Sequence, residues 1–116
     1  KQQARIVKLT DNVCLVTVYA ERYKNELAHE LLNSDKASSF RACIVIVGTH
    51  TKGSDMLSIR TKGINADHIA RTIGDGRGKK NVASVFVNST IQPMYDTLKS
   101  YLTEREYIDN FLLEDK

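Results

Sequence analysis

Apolar residues recur along the chain with two periods, and the changes of period mark its elements. ARIVKLT and VCLVTVYA are β-rich runs separated by the turn pair Asp11-Asn12, which predicts a hairpin. In the second run Val13, Leu15, Thr17 and Tyr19 alternate with Cys14, Val16 and Val18, so both faces are expected to be covered. YKNELAHELLNSD sets Leu27 and Leu31, and Ala28 and Leu32, at helical spacing, with Asn25 as its expected cap. The polar stretch from Asn33 to Ser39 reads as a loop. RACIVIVGTH is the most continuous apolar run and predicts a central strand. A turn at TKGSD leads into the alternating strand MLSIRT.

Asn65 is placed to cap a short helix, ADHIARTI, with Ile64, His68/Ile69 and Ile73 as its inward stripe. A glycine-rich turn and the strand VASVFVN follow. The chain closes on a predicted helix with Pro93 in its first turn and Met94, Leu98, Tyr101, Leu102 and Tyr107/Ile108 on one face. The order ββαββαβα predicts an α/β fold: a single layered domain, with helices packed on a mixed sheet of about five strands.

At 116 residues the chain is the size of one domain, and its 41% hydrophobic residues suffice for a core without disulfides. It begins at Lys1 rather than Met, so the expectation is a piece cut from a longer protein. No apolar run is long enough to cross a bilayer and no signal-peptide pattern opens the chain. Cys14 and Cys43 lie in apolar runs and read as buried thiols of a reducing cytoplasm; a bridge between them requires their strands to be neighbours.

Charge sharpens this outline in one place. The net charge is +3, yet residues 60–80 alone carry six basic and two acidic side chains, a local +4 that leaves the rest at −1. Within that stretch, Gly74 to Lys80 packs three glycines and three cations into seven residues. A helix-to-strand connector needs about one glycine. Extra glycines let consecutive amides converge on an anion, and neighbouring Arg and Lys side chains add charge-assisted hydrogen bonds. The order helix–loop–strand separates this turn from a Walker loop or a dinucleotide fingerprint, which open helices.

The stretch LSIRTKGINADHIARTIGDGRGKKNVASVFV resembles the C-terminal half of the DHH-associated domain of DHH-family phosphoesterases, which include RecJ-like nucleases, nano-RNA phosphatases and exopolyphosphatase-like proteins. Ser58-Ile59-Arg60-Thr61 matches the family's strand end Ser-Leu-Arg-Ser, and Ile69-Ala70 its short helix. Gly76-Arg77-Gly78 falls on its glycine triplet, with Lys79 in place of a histidine. Lys80 and Asn81 fill a variable pair, and Val82-Ala83-Ser84 replaces Ala-Ala-Gly. Upstream, YAERYKNELAHELLNSD is similar to the family's arginine–tyrosine helix start, so the resemblance runs from about Val13 to Val87.

The resemblance implies a substrate-binding domain that faces a separate catalytic domain. There, aspartates and histidines hold two divalent metals, usually manganese, that activate water for phosphoester hydrolysis. It further implies phosphate contacts from Arg60, the Gly76 to Gly78 amides and Lys79, with Arg77 and Lys80 as neighbouring cations. Lys79 keeps a hydrogen-bond donor where the family has a histidine. Arg77 restricts the loop, and Ser84 adds a side chain where the family has none.

Other candidates carry less. Asp67-His68 sits in a helix without a second histidine or an aspartate cluster, and reads as a helix-start carboxylate beside a partly packed ring. His29, His50 and His68 stand on different elements, so no metal is expected in this chain. Ser58, Thr61 and Ser84 lack a neighbouring base, so no catalytic residue is assigned. Four accessory contacts remain: Ser58, Tyr23 as a stacking ring, and Asn25 with His29, four apart on one helical face. Asn25 as a cap and His29 as a half-buried ring are the plainer readings.

The expectation is therefore a domain that grips a phosphorylated ligand, a short oligonucleotide or nucleotide, for a metal-dependent phosphoesterase domain outside this chain. The alternative is a stand-alone nucleic-acid-binding or adaptor module. A third reading makes the loop a surface turn and the final helix a surface for self-association.

Overall fold

The computed structural model describes residues 4–87 and 112–113. The predicted hairpin forms from β1 (Arg5–Lys8) and β2 (Val13–Tyr19), antiparallel with Ile6 opposite Val16. The Leu9 amide donates to the Val13 carbonyl at 2.9 Å, closing the turn between them. Helix α1 (Lys24–Leu32) follows. The stretch expected as a loop contains a further single turn, α2 (Asp35–Ser38), because Ser34 Oγ accepts from the Ala37 amide at 3.2 Å and starts it. These helices cross over to β3 (Ala42–Thr51), which pairs parallel to β2 with Leu15 opposite Ile44.

β4 (Ser54–Lys62) returns antiparallel to β3. Helix α3 (Ala66–Ile73) starts where expected, its cap Asn65 accepting from the His68 amide at 3.2 Å. Two strands come next: β5 (Arg77–Gly78), inside the glycine-rich turn, and β6 (Val82–Val87). The result is an α/β domain with a six-stranded mixed sheet in the order β1-β2-β3-β4-β6-β5 and three helices packed on it. The extra strand is β5, whose two residues are too short for periodicity to register. The predicted C-terminal helix, with its proposed self-association, lies outside the described residues.

Each sheet face has its own core. Leu15, Ile44, Ile46, Leu57 and Ile59 pack under α3, which buries Ala66, Ile69, Ala70 and Ile73 while His68 stays exposed. On the opposite face Cys14, Val16, Cys43, Val45 and Val47 pack under Ala28 of α1 and Ala37 of α2. The two cysteines are directly opposite on neighbouring strands, yet both are free thiols, with Sγ atoms 3.1 Å apart. α1 buries only Ala28 fully, so it shields its face less completely than α3 shields the other.

Candidate functional site

Strand phase decides which side chains meet. In β4 the buried residues Leu57, Ile59 and Thr61 alternate with Ser58 and Arg60, which therefore point to the α1 side of the sheet. Register then sets Ser58 opposite Ser84 and Arg60 opposite Val82 on β6, while Arg77 on β5 lies opposite Ser84. α1 packs on β3 and β4. Where its cover ends, a cleft of about 430 Å³ opens, lined by Asn25, Ser58, Arg60, Arg77, Gly78 and Lys79 together with β6. Three of the lining side chains are cations and none is a carboxylate. Their field is uncompensated within the cleft, the electrostatic condition for holding an anion.

Arg60 is oriented by a hydrogen bond from Nη2 to Asn25 Oδ1 at 3.0 Å. This corrects the capping role expected of Asn25. The N-cap of α1 is Tyr23, which makes no side-chain cap bond and holds φ 57°, ψ 36° in the left-handed region. That conformation costs a bulky residue roughly 1–2 kcal/mol.

The glycines also differ from expectation. Neither Gly76 nor Gly78 has a positive φ, and Gly74 ends α3 with φ −174°, an extended rather than left-handed residue. What they supply is close approach. A Cβ on Gly76 would sit 2.5 Å from Val85 Cβ and 2.7 Å from Ala70 Cβ. One on Gly78 would collide with the Ala83 backbone and the Val82 carbonyl. Glycine here lets β5 press against α3 and β6. The Gly78 amide donates to Asp67 Oδ1 at 3.0 Å, and the Lys79 amide to the Val82 carbonyl at 2.6 Å. Asp67 in turn pairs with Arg71 at 2.9 Å. Any grip on an anion in this cleft accordingly rests on side chains rather than on those amides.

The remaining site candidates separate. Gly76 is buried beneath the loop. Lys80 stands outside the cleft, and its carbonyl accepts from the Ala66 amide at 2.7 Å. His29 is exposed on α1, its ring beside Asn33, and does not line the cleft. Tyr23 lines a second cavity of about 520 Å³ with Tyr19, Arg22 and His50.

That cavity borders a cluster that sequence reasoning missed. Asp55 is fully buried and accepts from Tyr19 Oη at 2.9 Å, while His50 Nδ1 lies 2.9 Å from its other oxygen. The Tyr19 and His50 rings stack with centroids 4.3 Å apart. Burial, then the bond to Asp55, pushes the Tyr19 phenol well above its usual pKa. A signal was available: Asp55 shares the inward phase of Leu57 and Ile59. Among the described residues no group of three or more His, Cys, Asp or Glu side chains is arranged to hold a metal ion.

No curated protein matches the sequence. Solved structures do match the fold. The C-Ala domain of Aquifex aeolicus alanyl-tRNA synthetase superposes with TM-score 0.62 at 17% identity, covering 85% of this chain and 98% of that one. An exopolyphosphatase-related protein from Bacteroides fragilis gives TM-score 0.67 at 13% identity over 93% of this chain. An uncharacterized protein from Helicobacter pylori gives 0.54 at 19% over 90%. The chain spans only 32% and 28% of the lengths of these last two. At such identities the likeness is one of fold. Family membership comes from the sequence itself, which matches one pattern over residues 4–108: the chain belongs to the family of unknown function DUF7329.

Proposed function

We propose that this domain binds phosphate groups of a short oligonucleotide or nucleotide through Arg60, Arg77 and Lys79. The observation that carries the reading is the cleft itself, which gathers cations from β4, from β5 and from the turn beyond it without an intervening carboxylate. Arg60 and Arg77 offer planar forks and Lys79 a point charge. Ser58 and Ser84 supply hydroxyl donors between them. The fold shared with part of an exopolyphosphatase-related protein supports the role of a substrate-binding half. In that arrangement the hydrolytic metals, manganese among the candidates, belong to a separate domain, and this chain binds without cleaving.

A second reading, a module that binds nucleic acid without a catalytic partner, is favoured by the C-Ala match, in which a domain of this extent is nearly fully covered. Both readings use the same cleft. The test is titration of the chain with a 5′-phosphorylated oligonucleotide at two salt concentrations. Binding should weaken as salt rises, through release of counterions. Affinity unchanged in the double variant Arg60→Ala, Lys79→Ala would overturn the site.

A further inference from the structure

Resting on the phosphate reading, we infer that the open face of β6 beside the cleft is a stacking platform for the bases of a single-stranded nucleic acid, with Phe86 as its principal ring. Among the described residues three large hydrophobic side chains are exposed: Tyr23 at 72%, Phe86 at 62% and Val82 at 43%. Val82 lines the cationic cleft, and Phe86 follows on the same strand face. The face is the one α1 leaves open, because Val82, Ser84 and Phe86 alternate with the buried Ala83 and Val85.

Register gives this face a polarity. Its one end pairs Val82 with Arg60, its middle pairs Ser84 with Ser58, and its other end pairs Phe86 with the half-buried Met56. Arg77 sits across from Ser84. The charge thus runs from one end to the middle and the apolar ring stands at the other end, two residues or roughly 7 Å beyond Ser84. A nucleotide has the same asymmetry, an anionic phosphate at one end and a flat apolar base at the other. A phosphate seated on Arg77 and Lys79 leaves its base within reach of Phe86. An inorganic polyphosphate matches the cations but leaves the ring unused. Exposed aromatic surface next to uncompensated cations is the combination by which proteins hold single strands without reading sequence.

The experiment compares two probes on wild type, Phe86→Ala and Phe86→Trp: a short 5′-phosphorylated oligonucleotide, and an abasic strand of the same length and phosphate count. Wild type should prefer the strand with bases. Phe86→Ala should weaken that strand about fivefold or more and leave the abasic one unchanged, and Phe86→Trp should restore the preference. Equal affinity for both probes in wild type, or an oligonucleotide affinity indifferent to Phe86→Ala, would overturn the platform and leave the phosphate grip standing. Failure of both probes to bind removes the grip and the platform with it. Sedimentation of the free protein adds one more outcome: a wild-type dimer that Phe86→Ala converts to monomer assigns the face to self-association instead.

Discussion

Arg60 on β4 and Asn25 in the first turn of α1 are joined by a 3.0 Å hydrogen bond across the mouth of the cationic cleft. The bond fixes a long, otherwise mobile side chain near the C-terminal end of β4. Asn25→Ala should therefore weaken oligonucleotide binding about three- to tenfold, since an exposed hydrogen bond contributes about 0.5–1.5 kcal/mol net. Asn25→Asp should weaken it further, because a carboxylate pairs with Arg60 and repels phosphate. Calorimetric titration of both variants checks the order. Affinity equal to wild type in Asn25→Asp would contradict it.

Gly76 and Gly78 are held by contact rather than by dihedral angle. Alanine at either position should destabilise the fold by about 1–3 kcal/mol, the usual cost of overpacking. Gly74→Ala should cost least, because the nearest atom to its new Cβ is Val85 Cγ2 at 3.2 Å and its backbone is extended. Denaturant midpoints of the three variants give the ranking directly.

Asp67 occupies the loop as an internal anion, accepting from the Gly78 amide and pairing with Arg71. Asp67→Ala should lower stability by about 1 kcal/mol through loss of these contacts. Its sharper signature is local: Gly78 should be slow in native-state hydrogen exchange and become fast in the variant. Loss of that carboxylate also raises the local positive potential, so phosphate affinity should hold or rise.

Tyr19 makes stability depend on alkaline pH. Its phenol is held above the ordinary value of 10.0, first by burial and then by Asp55, so the folded state keeps a proton that the unfolded chain releases. The contribution is whole below that value and drains away as pH rises beyond it. Tyrosinate absorbance should show a late-titrating component that Tyr19→Phe removes. The same variant should lose roughly 1–2 kcal/mol near neutral pH, because Asp55 is fully buried and accepts one bond fewer.

Much of this was legible in the residues. The alternation in MLSIRT announced which side chains of β4 face inward, and so placed Ser58 and Arg60 on the same face. Asn65 was recognisable as a cap because its side chain does the capping. The loop cations drew notice through local charge density, and Arg60, Arg77 and Lys79 do share one cleft. What stayed hidden depends on tertiary distance. Asn25 has the composition of a cap, but its partner lies 35 residues away on β4. The glycines read as an amide cradle for an anion because sequence registers permissive residues, whereas the close approach of Val85 and Ala83 that excludes a Cβ is visible only in three dimensions. His50 seemed isolated because its carboxylate partner belongs to the next strand.

The parallel crossover between β2 and β3 has a kinetic consequence. Among the described residues it is the one parallel pairing in the sheet, and α1, which carries Asn25, lies inside it. Pairing strands that are distant in sequence demands loop closure before any contact repays it. The cleft is complete only after α1 has docked on β4 and β6 has returned beside it. A ligand that needs all of these parts recognises only the finished fold, and by mass action holds the chain in that state.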